Sequence, residues 1–278
     1  MKKTLYIVIL TLISLCYILV ANQTRRISRI VFCDVGQGDA IYLRLPEQID
    51  VLIDAGSYPQ VLNCLNSEMP YLDRKLEMAF ITHPEKDHYK GFDYILDSFK
   101  IETLYLPASI ENLKIDNPDW QAFFKKAKKN IKEIVYLSSG DELCIENSCF
   151  TVVSPNISKA SHSILGATNF DFNNNALALV ALVNSKQILL LSDLDIAPAE
   201  RAIEQLNLDV DIFKVNHHGS KYGISDRLLD LADPKLSVIS VGANNWYGHP
   251  HPETIELLQS HNIPIKRTDK QGKVIIPL

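Results

Sequence analysis

Four short apolar runs in this 278-residue chain end on a side chain that can hold a metal ion or a proton. Val51-Leu52-Ile53 leads into Asp54, residues 76–81 into Thr82-His83, Leu189-Leu190-Leu191 into Ser192-Asp193, and Phe213-Lys214-Val215 into Asn216-His217-His218. Runs of this length and composition read as buried strands. A fold that accommodates all four must bury the runs in sheets and bring their polar ends out on loops, where function sits. A single histidine after a strand is an ordinary surface or core residue. Here His83, His88, His217, His218 and His249 all follow apolar runs, together with Asp54, Asp87 and Asp193. That repetition points to a shared metal centre.

The segment Thr82-His83-Pro84-Glu85-Lys86-Asp87-His88 is the densest part of the pattern. In extended chain just past a strand, His83 and Glu85 point to the same side, because side chains alternate with period two. Asp87 and His88 fall where a helix is predicted to begin, over residues 89–99. One loop thus offers ligands in two directions, as a pair of adjacent ions requires. Acidic residues at a helix start also serve as caps, so the motif gains its meaning from the other strand ends.

The remaining chain reads as strands at 27–33, 40–45, 101–106, 134–137, 142–145, 149–153, 176–183, 187–191, 212–215, 236–241 and 274–276. Helices are predicted at 58–67, 120–131, 198–206, 226–231 and 252–261. Residues 154–175 form a long, polar, Asn-rich loop. No Gly/Ser/Pro linker divides the chain past residue 26, so residues 27–278 are expected to form one domain. Two mixed halves with strands leading into helices imply an α/β fold of two packed sheets with helices outside. The chain is 46% hydrophobic and 22% charged, enough for a sizeable core, and its net charge of −5 argues against a broad basic face that grips nucleic acid.

Residues 1–26 stand apart. Lys2 and Lys3 precede an uncharged apolar stretch, residues 5–21, with Arg25 and Arg26 beyond it. The expectation is a single N-terminal membrane anchor with the domain on the extracytoplasmic side. A cleaved secretory signal is the alternative, disfavoured by the poor cleavage sequence Leu19-Val20-Ala21. Of the five cysteines, none form a CxxC pair, which excludes a zinc ribbon. Cys144 and Cys149 flank a hairpin turn. They bond to each other if the domain lies outside the cytoplasm, and otherwise are two small strand residues.

The order Asp54-Ala55-Gly56, His83-x-Glu85-x-Asp87-His88, Ser192-Asp193 and His217-His218-Gly219-Ser220 resembles the metallo-β-lactamase superfamily. Two longer motifs, residues 32–40 (Phe-Cys-Asp-Val-Gly-Gln-Gly-Asp-Ala) and 244–252 (Asn-Asn-Trp-Tyr-Gly-His-Pro-His-Pro), resemble the hydrolase domain of ComEC-type competence DNA-uptake proteins and its stand-alone relatives. The resemblance covers residues 27–278 and implies an αββα sandwich with a one- or two-metal hydrolytic site. Two positions depart from the family. Glu85 stands where the superfamily usually has His, which shifts the expectation from zinc toward manganese, a carboxylate being the harder ligand. The usual third-motif histidine is replaced by Asn173-Asn174-Asn175, with His162 earlier in the loop.

On this resemblance His83 and Glu85 hold one ion. Asp87, His88 and either His217 or His218 hold a second, and Asp193 bridges them. Asp54 and Asn175 support the ligands from behind, Asp87 steers the attacking water, and His249 protonates a leaving oxygen or binds phosphate. The implied activity is metal-dependent phosphodiester hydrolysis, with single-stranded DNA a candidate substrate. A hydrolase of a small ester, lactone or cell-surface phosphoester, and a membrane-anchored binding module without catalysis, are the competing functions. Oligomeric state leaves no trace in the sequence.

Overall fold

The computed structural model describes residues 2–24, 27–156 and 170–278. Fourteen strands are assigned among them: β1 (Arg29–Phe32), β2 (Ile41–Arg44), β3 (Asp50–Ile53), β4 (Lys75–Phe80), β5 (Lys100–Pro107), β6 (Glu133–Leu137), β7 (Glu142–Ile145), β8 (Ser148–Ser154), β9 (Ala178–Val183), β10 (Lys186–Leu190), β11 (Ile212–Lys214), β12 (Ser237–Ile239), β13 (Ile265–Arg267) and β14 (Val274–Pro277). They form two sheets, ordered β14-β1-β2-β3-β4-β5-β6 and β13-β12-β11-β10-β9-β8-β7. Each sheet is mixed. β3 to β6 run parallel, as do β10 to β13, and the remaining pairings are antiparallel.

Period-two alternation sorts each strand between two cores. Ile30 and Phe32 of β1, Val51 and Ile53 of β3, and Phe80 of β4 pack against Phe150, Leu179, Ile188, Leu190 and Val238 of the second sheet. The alternate residues Val31, Leu52 and Ala79 face a helical layer carrying Val61, Leu65, Tyr89, Phe92, Trp120 and Phe123. On the far side Leu189, Phe213 and Ile239 cover Ala199, Ile203, Leu228 and Leu258. The four layers are helix, sheet, sheet, helix, as the strand and helix pattern implied. Strands buried on both faces explain why these runs read as continuously apolar.

The helix predicted over 89–99 is broken into two short turns, Lys86–Tyr89 and Phe92–Ile95. The cause is tertiary. The Gly91 N–H bonds to the carbonyl of Gly56 (2.7 Å), and the Asp87 carbonyl accepts from Asp39 N–H (3.1 Å). Both groups are thereby withdrawn from a regular helical ladder. β13 and the short helix Thr268–Gln271 are elements that the sequence reading did not mark.

Two disulfides are present among the described residues. Cys144–Cys149 crosses between β7 and β8, resolving the alternative left open above. Cys33–Cys64, which the sequence reading did not pair, ties the end of β1 to the helix Gln60–Glu68 across 31 positions. His162 lies outside the described residues. The N-terminal helix Lys2–Thr24 leaves Tyr6, Ile7, Leu10, Ile13, Tyr17 and Leu19 exposed. Among the described residues, no helix is long and apolar enough to cross a membrane.

Candidate metal centre

The ends of β3, β4, β10 and β11 deliver their polar residues to one place. Several arrive in the left-handed backbone region: Asp54 (φ 58°), Ser192 (φ 53°), His217 (φ 48°) and His218 (φ 55°). Left-handed backbone at non-glycine residues costs of order 1–3 kcal/mol each and clusters at functional sites. Here Asp54, Ser192 and His218 are buried just past their strand ends, and His217 stands at the rim.

Three imidazoles converge, and each is oriented from behind. His88 Nδ1 lies 2.7 Å from Asp54 Oδ2. A carboxylate accepts only, so the proton sits on Nδ1 and Nε2 faces the cluster. Asp54 is itself fixed by the Thr82 N–H (2.8 Å) and hydroxyl (2.7 Å). Having donated to Asp54, the Thr82 hydroxyl can accept from His83 Nδ1 at 3.1 Å. His218 Nδ1 lies 3.1 Å from the Ser240 carbonyl. The Nε2 atoms of His83, His88 and His218 are buried with no hydrogen-bond partner, and so is Asp193 Oδ1. Asp193 Oδ2 lies 3.4 Å from His88 Nε2, 3.3 Å from His218 Nε2 and 3.9 Å from His217 Nε2. Asp87 Oδ2 closes the group at 3.4 Å from His218 Nε2.

Buried polar atoms without partners are rare and call for an explanation. Ligand atoms of His83, His88 and Asp193 lie within 4.8 Å of one another, as do those of Asp87, His88 and His218. A mixed imidazole–carboxylate set suits divalent transition ions, and the outward-facing Nδ1 bonds are the support that metal-bound histidines usually have. The residues fit a metal.

The electrostatics agree. Burial alone would lower His88 and His218, but Asp193, with Asp54 or Asp39, raises both well above the ordinary imidazole range. The surrounding carboxylates favour a cation at these Nε2 atoms, whether a proton or a metal ion. His83 goes the other way, down to about 3, through burial and the neighbouring His88. Asp193 and Asp87 are held below the usual carboxylate range. Burial opposes this, and the charges and hydrogen bonds of the histidines prevail.

The expected ligands do not all stand alike. His218, buried, belongs to the cluster, whereas the His217 side chain is 30% exposed at its rim. Glu85 Oε2 is 4.0 Å from His83 Nε2 on a half-exposed side chain, so it approaches from the solvent side. His249 stands next to His217, ring centroids 5.7 Å apart. Its loop is braced by Asn245, which accepts from the His249 N–H (3.0 Å) and donates to the His249 carbonyl (2.6 Å). Asn175 is not brought to the ligands: its side-chain amide donates to the Asp171 carbonyl (2.8 Å). Of the three asparagines, Asn173 is the one with a buried, unpartnered Oδ1.

No family model matches the chain. It is 29% identical over 259 residues to ComE operon protein 3 of Bacillus subtilis (strain 168), which covers 87% of this chain and 32% of that protein. It is 25% identical over 245 residues to Recombination protein 2 of Haemophilus influenzae, covering 87% and 28%. The chain thus spans about a third of the length of these relatives. Among solved structures, Tm1679, a metal-dependent hydrolase of the β-lactamase superfamily, matches with a TM-score of 0.60 at 13% identity over 90% of this chain and 99% of that one. The metallo-β-lactamase fold protein YhfI from Bacillus subtilis matches at 0.58 and 12%, with the same coverage. The diiron β-hydroxylase CmlA from Streptomyces venezuelae matches at 0.56 and 12%, over 91% of this chain and 54% of that one. This chain has the metallo-β-lactamase fold. By sequence it is similar to the two proteins named above, over most of its own length.

Within this metallo-β-lactamase fold, two residues that sequence reasoning left without a role lie directly behind the cluster. Asp39, from the motif 32–40, is buried and ion-paired with Lys214 of β11. Burial would raise its carboxyl, but Lys214 and His218 pull it down to about 2. Gly38 makes the approach possible: at φ 119° its place for a Cβ lies 2.2 Å from the Asp87 carbonyl oxygen. The signal for Lys214 was available, since a lysine in the middle of an otherwise apolar strand must meet a buried partner.

Proposed function

We propose that this chain is a metal-dependent hydrolase that cleaves phosphodiester bonds at the His83–His88–Asp193–His218 cluster. The observation that carries the reading is the convergence of three buried, unpartnered Nε2 atoms on Asp193, each with its Nδ1 directed at a supporting acceptor. The likeness to ComE operon protein 3 and Recombination protein 2, with the motifs at 32–40 and 244–252, turns the reading from esters in general toward single-stranded DNA.

His83 and Glu85 would hold one divalent ion, Asp87, His88 and His218 a second, with Asp193 facing both. Zinc and manganese both suit this donor set. Such ions, when bound, supply a Lewis-acidic centre that lowers the pKa of water and polarises a phosphoryl oxygen. The protein's own groups do the rest. Asp54 and Ser240 keep the Nε2 atoms of His88 and His218 turned inward. Asp87 directs Oδ2 at His218 and orients the attacking water. His249, beside His217, is assigned to the leaving oxygen. Burial and the neighbouring His251 push its pKa down to about 4. At neutral pH it is therefore an uncharged imidazole, and it acts as a hydrogen-bond donor from one ring N–H.

A second reading is a small phosphoester. Lys221, beside the mouth, is paired with Glu253 (3.1 Å), so its charge is already compensated, and the chain is acidic overall. We further propose attachment to a membrane through residues 5–21, with the domain on an oxidising side. The helix Lys2–Thr24 exposes apolar side chains such as Ile7, Leu10, Ile13 and Tyr17, and the two disulfides suit such a compartment.

The test is a substrate panel on the manganese- or zinc-loaded full chain in detergent: single-stranded oligonucleotide, bis(p-nitrophenyl) phosphate and p-nitrophenyl acetate. Chelator-sensitive cleavage of the first two is expected. Turnover confined to the acetate would overturn the phosphodiester reading, and turnover of the small diester alone would favour the second one.

A further inference from the structure

The motif at residues 32–40 is long and specific, yet no step proposed above uses it. Its last charged residue, Asp39, meets Lys214. Phe213 and Val215, on either side of Lys214, pack into the outer core. Alternation therefore turns Lys214 to the opposite face, where its side chain is 1% exposed. A buried ion pair is weak evidence for stability, because apolar residues of equal volume often serve as well. The position of this one is informative for another reason.

An ammonium has three protons and no acceptor. Lys214 donates to the Ser192 carbonyl at 3.2 Å and pairs with Asp39 Oδ2, and Asp193 Oδ1 stands beside it as a further ion-pair partner at 3.5 Å. All three oxygens lie on its buried side, and at 1% exposure the ammonium does not meet substrate. The two oxygens of Asp193 are thereby divided. Oδ1 faces the lysine, and Oδ2 faces the Nε2 atoms of His218, His88 and His217. Asp39 is divided in the same way, with Oδ2 on Lys214 and Oδ1 3.5 Å from His218 Nδ1.

We infer that Lys214 is a positioning residue that restricts Asp193 to coordination through Oδ2 alone, with Asp39 anchoring the ammonium. The inference rests on the two-ion reading above. A carboxylate that turned both oxygens to one ion would chelate it and give up the other. With Oδ1 held by Lys214, Oδ2 remains available to both positions. Asp39 and Lys214 thus account for the motif at 32–40: it supplies the counter-charge that keeps the lysine in place beneath the cluster.

The test compares wild type with Lys214→Met and with Asp39→Asn/Lys214→Met. The double variant removes the buried pair as a neutral unit, so it keeps the fold even where the single variant does not. Manganese isotherms are read together with crystal structures of the manganese-loaded proteins. In both variants the second ion should bind roughly 10–100-fold more weakly, the usual effect of removing a partner behind a ligand. The first should bind as well as before or better. In wild type only Oδ2 of Asp193 should touch metal, and in the variants both oxygens should do so. Unchanged isotherms would overturn the inference. So would equal weakening of both ions with Asp193 still bound through one oxygen, since that is a general structural effect. A wild type that binds a single ion would refute the two-ion reading. In that case the crystal structure alone decides: Oδ1 on Lys214 sustains the positioning role, and Oδ1 on the ion ends it.

Discussion

Asp193→Asn keeps the volume of the side chain and removes its charge. It takes away the carboxylate that lies 3.3, 3.4 and 3.9 Å from the Nε2 atoms of His218, His88 and His217. An ion that binds only the folded state stabilises it by about 2.7 kcal/mol at a hundredfold excess over Kd. In a domain of this size each kcal/mol moves Tm by roughly 2–4 °C. Saturating manganese should therefore raise the wild-type Tm by about 5–10 °C for each ion, by that arithmetic. In Asp193→Asn the shift should nearly vanish, because the amide is a feeble ligand at the one position that faces both ions. Thermal melts with and without manganese, and elemental analysis of the same samples, read the effect. Wild-type ion content together with a wild-type shift in Asp193→Asn would refute the placement of Asp193 at the centre.

Asp54→Asn breaks the bond that orients His88 and should weaken metal binding by roughly 10–100-fold with the ligands intact, as an isotherm would show. Glu85→His should move the preference from manganese toward zinc, and an unchanged activity ratio between the two metals would remove Glu85 from the ligand set. His249→Ala removes a neutral hydrogen-bond donor and should lower turnover of substrates with an alkoxide leaving group by roughly 10²–10³-fold while sparing p-nitrophenyl substrates, with ion content unchanged. A loss of metal would make His249 a ligand instead. For pH, His88 and His218 have folded-state pKa values raised above the unfolded ones. The stability they confer is complete below the unfolded imidazole pKa and is lost as pH rises through the folded values. The metal-free protein should therefore lose Tm on the alkaline side. Metal ions displace these protons, so the loaded protein should not, and proton release on loading should be seen by titration in buffers of different ionisation heat.

Much of this was legible because apolar runs and their terminal polar residues are local. Asp54, His83, Asp193 and His218 each lie just past a strand end, with His88 in the helical turn that follows His83, and the strands fold as their composition requires. What escaped depends on contacts distant in sequence. Gly91 N–H bonds to Gly56 and Asp87 carbonyl to Asp39, so the helix expected at 89–99 broke. Cys33 and Cys64 meet only once β1 and the helix Gln60–Glu68 pack. The burial of His218 beside Asp193 with His217 at the rim depends on a backbone turn that is left-handed at both residues, which no propensity marks. Asn175 lies in a short 3₁₀ turn, and its amide is claimed by Asp171, a local bond that competes with any role behind the ligands.

Anomalous diffraction at the manganese edge, from crystals of the full chain loaded with that ion, tests the central claim most directly. The account requires two peaks, one beside His83 Nε2 and Glu85 and one beside Asp87, His88 Nε2 and His218 Nε2, with Asp193 Oδ2 facing both. Peaks only at surface carboxylates, with none between those atoms, would contradict it.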